Sequence, residues 1–191
     1  MNLLSLALMR TQMARNSVEA EQFRDAMASF AAGVTIITTL DAEGTPQAAT
    51  ATAFSSVSLS PPLCLVCIDR RGRTHGPLLV HGCFAVNILR ADQEWLSARF
   101  ASSMPDRFAD VAWQPGEHTG CPLLEGALAS MECRIAEVHS GGDHDIFLGR
   151  PASVRVGGGS PLVYWRGRYR DLPVQAEARA GQGAASPSSR T

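Results

Sequence analysis

The residues able to do chemistry fall into three groups: five cysteines, five histidines, and the hydroxyl-rich run Thr50-Ala-Thr-Ala-Phe-Ser-Ser-Val-Ser-Leu-Ser-Pro-Pro62. In that run, small hydroxyl residues crowd around one aromatic just before a Pro-Pro pair. As a loop it presents N–H and O–H donors that suit a polar ring system or a phosphate held without formal charge. A Ser/Thr-rich turn between strands is the plainer reading of the same composition. The cysteines, Cys64, Cys67, Cys83, Cys121 and Cys133, are odd in number and mostly sit in apolar runs. That argues against a disulfide framework and for a reducing, cytoplasmic setting. Cys64 and Cys67 have C-x-x-C spacing, but Pro62-Leu-Cys-Leu-Val-Cys-Ile68 reads as a buried strand. Residues three apart in a strand point to opposite faces, so neither metal binding nor redox work is expected of the pair.

All 17 basic residues are Arg, since the chain has no Lys. Schiff-base chemistry and the P-loop lysine are thereby excluded, and phosphates would be met by planar Arg forks, hydroxyls and backbone N–H groups. A net charge of -1, with both signs spread along the chain, gives no broad basic field for nucleic acid or an anionic membrane. There is no G-x-G-x-x-G after a strand, no P-loop, no G-x-S-x-G and no H-E-x-x-H, so a dinucleotide would not be bound Rossmann-style. The apolar stretch at residues 1–10 is too short to span a membrane and lacks a positive start and cleavage site; it reads as an extension.

The elements that must position these groups follow from spacing. With 191 residues and 45% hydrophobic content, one domain can bury roughly 70% of its unfolded surface. Apolar residues at Phe23, Met27, Phe30 and Ala31, with early acids, predict a helix over 18–32 ending at Gly33. A β-branched strand over 34–40 and the turn Asp41-Ala-Glu-Gly44 predict a hairpin with a return strand over 47–52. Further strands are predicted over 63–68, 84–89, 127–138, 145–156 and 161–164, with a short helix over 92–100 and a turn at Gly157-Gly-Gly-Ser160. Many short strands with few helices predict a mostly β, closed antiparallel barrel. Residues 1–19 read as an N-terminal extension, 20–174 as the domain, and 175–191, rich in Ala, Gly, Ser and Pro, as a disordered tail with almost nothing to bury. Composition and periodicity stop there and name no reaction.

The run Ala53-Phe-Ser-Ser-Val-Ser-Leu-Ser-Pro-Pro-Leu63 resembles the signature of the short-chain flavin reductases, the NAD(P)H:flavin oxidoreductase components of two-component flavin-dependent monooxygenases. The resemblance continues through Phe84-Ala-Val-Asn-Ile-Leu89, Gln93, Arg99-Phe100 and Arg107-Phe108. It closes with Gly142-Asp-His-Asp-Ile-Phe-Leu-Gly149 and Pro161-Leu-Val-Tyr-Trp-Arg-Gly-Arg-Tyr169. These blocks cover about residues 20 to 172 in the family's order, and their joint occurrence is specific where each alone is weak.

The resemblance implies an FMN-binding split β-barrel with a Greek-key-like antiparallel topology, homodimeric, with flavin held at the barrel and subunit interface. It implies flavin contacts from Thr52, Ala53, Phe54, Ser55 and Ser56 to the ring and ribityl chain, and from Asp69, Arg70 and Thr74 near the phosphate. Arg99, Phe100 and Arg107 would complete the phosphate side. Gly72 stands where relatives often carry Ser, which removes one hydroxyl contact. His144 would position the nicotinamide, with Ser58 and Tyr169 close to the same NAD(P)H pocket. His75, His81, His118 and His139 have no such context and read as structural. Arg107 has a plain alternative in pairing with Asp106 or Asp110, and Tyr164 and Trp165 have one as late-strand core aromatics.

The implied reaction is hydride transfer from NADH, or NADPH, to FMN or FAD, with reduced flavin supplied to a partner monooxygenase. No protein acid or base is required for it. Two other readings fit a split barrel: a pyridoxamine-phosphate-oxidase-like flavoenzyme, against which the Gly-Asp-His block argues, and a non-catalytic FMN-binding protein.

Overall fold

The computed structural model describes residues 18–172; most of the expected N-terminal extension and all of the tail after Gln175 lie outside them. The order of elements is α1 (Ala20–Ala28), β1 (Ala32–Gly33), β2 (Thr35–Leu40), β3 (Pro46–Ala51), β4 (Phe54–Leu59), β5 (Pro62–Asp69), α2 (His75–His81) and β6 (Cys83–Ile88). A 3-10 turn (Ala91–Gln93) then leads into α3 (Glu94–Ala101), β7 (Trp113–Pro115), β8 (Pro122–Leu124), β9 (Ala129–Gly141), β10 (His144–Val156), β11 (Val163–Trp165) and β12 (Arg168–Arg170). The predicted strands are present within a few residues of their expected ends, and α1 is shorter than the periodicity suggested. Helix α2 and the β7–β8 hairpin were not legible, being too short for a period to show.

Seven strands form one antiparallel sheet in the order β3-β2-β6-β9-β10-β5-β4. Strands β3 and β4 are consecutive in the chain, joined only by Thr52 and Ala53, yet they stand at opposite edges of that sheet. Three residue steps reach at most about 11 Å. The edges of a flat seven-stranded sheet would be about 29 Å apart. The sheet must therefore curl until its edges meet. The Cys67 N–H donates to the Ala53 carbonyl at 3.0 Å just where the chain crosses. Residues from β2, β3, β5, β6, β9 and β10 consequently share one core around Ile37, Ala51, Val66, Phe84 and Phe147, with Leu78 of α2 packed among them.

The expected closed barrel is corrected in one respect: β3 and β4 do not pair, so the hydrogen-bond ladder stays open along a seam. A second correction concerns the hydroxyl-rich run. Its centre, Phe54–Leu59, is a strand, β4, pairing with β5, and Ser55 and Ser56 are exposed on it. Strand alternation needs apolar residues on one face to be visible in sequence, and β4 buries almost nothing.

Strand β2 is buried on both faces. Ile37 enters the first core, while Ile36 faces a second with Val34, Leu89, Leu96, Phe100 and Leu162, which seats α3 on the outside of the sheet. Full burial of each such side chain contributes about 1.5–3 kcal/mol. Asn87, fully buried on β6, joins four strands: its amide donates to the Ile36 and Pro122 carbonyls at 3.3 Å, and its Oδ1 accepts from the Leu124 N–H at 2.8 Å and the Ser130 hydroxyl at 3.1 Å. Glu132, 1% exposed, accepts through Oε2 from the N–H groups of His118 and Thr119 and from the Thr119 hydroxyl at 2.8–2.9 Å, fastening the β7–β8 turn.

All five cysteines are free thiols. The Cys64 and Cys133 sulfurs lie 3.8 Å apart inside the first core, with Gly149 beside them. A Cβ at Gly149 would collide with the Phe84 ring and approach the Cys133 Cβ to 3.1 Å. Gly149→Ala is therefore expected to overpack the core and destabilise the fold by about 1–3 kcal/mol, read as a lower urea midpoint with an unchanged slope.

Candidate active site at the seam of the sheet

Curling the sheet leaves a cavity of about 730 Å³ along the seam. One wall is β3 and the crossing, residues 48–53, which read Ala-Ala-Thr-Ala-Thr-Ala. These short side chains leave room for a flat ring that bulkier strand residues would fill. The opposite wall is the end of β5, from Cys67 to Asp69, and the loop from Arg71 to Thr74; Ala101, Ser102, Ser103 and Arg107 close one side and His144 stands at the rim. As expected from strand geometry, Cys64 and Cys67 face opposite ways: Cys64 is in the core and Cys67 lines this cavity, where burial pushes its thiol up.

The loop between β5 and α2 is held from both ends. The Asp69 carboxylate accepts from the Arg71 N–H at 2.8 Å and pairs with its guanidinium at 3.2 Å, and Arg71 holds it below the usual carboxylate range. The Gly72 N–H donates back to the Asp69 carbonyl at 2.9 Å, and a Cβ on Gly72 would lie 3.0 Å from that same oxygen. A side chain there would sit tight against this turn. Asp145 on β10 braces the far end, accepting from Arg70 Nε at 2.9 Å and Nη2 at 2.6 Å and bonding His75 Nε2 at 2.7 Å. Arg70 first, then His75, lowers the Asp145 pKa. Arg70 also reaches the Ser140 hydroxyl, so it turns to β9 and β10 and away from the cavity.

The second loop, after α3, is braced by Arg99, which donates to the carbonyls of Arg107 (2.9 Å) and Ala109, and by Asp106, whose Oδ1 accepts from the N–H groups of Phe108 and Ala109 at 3.2 and 3.0 Å. The suggested pairing of Arg107 with Asp106 or Asp110 is not formed. Arg107 donates to the Phe100 carbonyl at 2.7 Å, and Arg73 donates to the carbonyls of Ser102 and Met104 at 3.3 and 3.2 Å. Among the described residues neither guanidinium has a carboxylate partner. Burial, then the nearby Arg73 charge, lowers the Arg107 pKa, and it remains a cation.

Of the residues the sequence nominated, Thr52, Ala53, Asp69, Thr74, Arg107 and His144 line this one cavity. His144 is half-exposed, with Nδ1 2.8 Å from the Asp143 carboxylate, and is registered opposite Asp69. Phe54, Ser55, Ser56 and Ser58 lie along β4, outside the lining. Phe100 is 1% exposed and stacks edge-on with Phe108 at 5.0 Å, so it is core. Tyr169 donates its hydroxyl to Ser97 at 2.8 Å and packs on the second core. Tyr164 is exposed, not core, and Trp165 donates its N–H to the Ser29 carbonyl at 3.1 Å, anchoring the end of α1. Sequence reasoning missed Arg71, Arg73, Ser102 and Ser103; the Arg70-Arg71-Gly72-Arg73 cluster at a strand end was the available signal.

The pattern of flavin reductase like domains matches residues 27–173. The chain belongs to that family. It is 43% identical over 182 residues to a flavin reductase (NADH) of Kitasatospora aureofaciens, covering 92% of each chain. It is 37% identical over 161 residues to the reductase subunit of a flavin-dependent monooxygenase of Rhodococcus jostii, covering 84% of this chain and 82% of that one. Among solved structures, the NADH:FAD oxidoreductase of Streptomyces globisporus C-1027, in complex with NAD and FAD fragments, is similar at a TM-score of 0.79 and 36% identity, over 85% of this chain and 99% of that one. Within this flavin reductase family member, the small-residue wall, the two braced loops and the uncompensated guanidiniums fit a flat heterocycle carrying phosphate.

Because Arg70 and His75 depress the Asp145 pKa, the stability this carboxylate contributes is present above the ordinary value of about 3.9 and is lost as pH falls through the lower folded value. Asp145→Asn is expected to lower Tm at neutral pH, with the gap to wild type closing under strongly acidic conditions, as measured by thermal denaturation across pH.

Proposed function

We propose that this protein is an NADH-dependent flavin reductase that reduces FMN or FAD and supplies the reduced flavin to a separate flavin-dependent monooxygenase. The seam cavity carries this reading: in a member of the flavin reductase family, it combines a slot walled by small residues with two guanidiniums that lack carboxylate partners and a histidine at its rim. When both substrates are bound, a hydride passes from C4 of the nicotinamide to N5 of the flavin, and the chemistry belongs to the two rings.

The protein's part is to bind and orient. Thr52 and Ala53, at the crossing, would contact the ring system, with Thr74 and Asp69 below it and Arg107 on the phosphate. His144, held toward Asp143 and half in solvent, would orient the nicotinamide at the open side. Ring stacking with fixed faces supplies most of what such a transfer needs. The donor set is largely hydroxyls and carbonyl-bound guanidiniums, which suits a flavin that must leave after reduction.

The working unit we infer is a homodimer of a 20–174 split-barrel domain in the cytoplasm. Helix α1 and the turn after it support the dimer: no residue of the helix is buried, and its Phe23 and Met27, with Phe30 just beyond its end, are 50–69% exposed, leaving apolar surface that a second subunit would cover. Exposed Ser55 and Ser56 on β4 would then meet flavin bound between subunits. Five free thiols suit a reducing compartment, and no helix of the described residues is long and apolar enough to cross a membrane.

Steady-state NADH oxidation by the purified protein should appear only when FMN, FAD or riboflavin is added; flavin binding without turnover would leave a passive flavin-binding protein. His144→Ala should raise KM for NADH about ten-fold, the scale of one lost hydrogen bond, while flavin Kd moves far less. Equal loss of both would remove the nicotinamide role.

A further inference from the structure

A second cavity, of about 830 Å³, lies between the end of α1 and the β11–β12 hairpin. Its volume is within the ordinary range of ligand pockets, about 300–1,000 Å³. Among the described residues, Thr52 alone lines both this cavity and the seam cavity, so the two are neighbours with separate walls. The walls are fastened to each other. The Trp165 indole N–H donates to the Ser29 carbonyl and the Arg166 N–H to the Ala28 carbonyl, each at 3.1 Å, which ties the hairpin to the end of the helix. Arg166 and Gly167 form the two-residue turn of that hairpin with φ of 48° and 74°, the backbone of a tight primed turn. The turn places the Arg166 guanidinium over the Trp165 ring, 4.9 Å from its centroid.

The lining sets the chemistry of an occupant. Met27, Phe30, Tyr164 and Trp165 supply apolar and aromatic surface, which suits a flat ring. Arg24 and Arg166 supply two guanidiniums against the single carboxylate of Asp25, so the lining carries a net positive charge. Among the described residues neither of these guanidiniums has a carboxylate partner. Their planar N–H forks match a carboxylate, and a guanidinium stacked on an indole keeps that fork free. The reduction of flavin makes no use of this cavity: His144, which would orient the nicotinamide, lines the seam cavity and not this one. We propose that the cavity between α1 and the β11–β12 hairpin is a second ligand site that takes a flat aromatic carboxylate, its ring against Trp165 and Tyr164 and its charge on Arg166 and Arg24. Occupancy needs neither flavin nor turnover, so the proposal stands apart from the flavin reductase reading.

Calorimetric titration of the full-length protein with sodium benzoate, benzamide and sodium acetate tests it, with tryptophan fluorescence as a second readout because Trp165 lines the cavity. Benzoate is expected to bind with a Kd of about 1 mM or below, within reach of so small a ligand, and to change the fluorescence. Benzamide, which keeps the ring and loses the charge, and acetate, which keeps the charge and loses the ring, should each bind at least about ten-fold more weakly, the scale of one lost charge-assisted hydrogen bond. Arg166→Gln and Arg24→Gln should each weaken benzoate by about the same factor. Arg24 is exposed on α1, so its replacement leaves the fold intact. NADH oxidation on added flavin, measured without benzoate, should be unchanged in both variants. Failure of benzoate to bind overturns the proposal, as does benzamide binding equally well or an affinity indifferent to both substitutions. Displacement of benzoate by NAD or FMN also overturns it, since the cavity would then belong to the redox substrates. Absence of NADH turnover with every flavin would overturn the reductase reading and leave the benzoate result standing.

Discussion

The two-residue link between β3 and β4 constrains everything else in this molecule. Thr52 and Ala53 join strands at opposite edges of a seven-stranded sheet, and a link of that length cannot cross a flat one. The sheet has to wrap, and wrapping produces both the enclosed core and the open seam. Had β3 and β4 paired as a hairpin, the sheet could have stayed open and the cavity between β3 and β5 would not exist. The Phe84, Phe147 and Leu78 side chains fill the inside of the wrap, while α3 and the β11–β12 hairpin cover part of its outside through Leu96, Phe100 and Leu162.

A division of labour among the charged residues follows. Arg70, Arg99, Asp106 and Asp145 spend their hydrogen bonds on backbone and neighbouring side chains, and by doing so they fix the two loops that flank the seam. Arg73 and Arg107 are tethered only to carbonyl oxygens, so their charge is not neutralised within the protein. In a chain without lysine, the same side-chain type therefore serves both as a strut and as a cavity-lining cation without a carboxylate partner. Arg70 finds a carboxylate, whereas Arg73, Arg99 and Arg107 reach only carbonyls, and of these three Arg73 and Arg107 line the seam cavity, a placement that spacing along the chain does not encode.

Much was legible beforehand. The β-branched run before Asp41-Ala-Glu-Gly44, the alternation of Cys64, Val66 and Ile68, and the ordered motif blocks gave the strands and the family from local pattern alone. The nominated residues nearest the crossing and the loop after β5 do share one cavity. Helical spacing cannot tell that Phe100 faces a core, and the bond of the Tyr169 hydroxyl to Ser97 joins residues distant in sequence, so neither was legible. Strand β4 was hidden because an exposed edge strand shows no apolar alternation.

The sequence by itself determined the strand content, the lack of any lysine, and the motif order that marks a flavin reductase. Those are properties of residue type and short-range spacing, where hydrophobic period and backbone preference act. Only the tertiary structure decided that the ladder stays open along β3 and β4, that Arg73 joins Arg107 in lining the seam cavity, and that Asp145 braces the loop from below. Each of these depends on side chains tens of residues apart meeting across the wrapped sheet, and that proximity is created by packing.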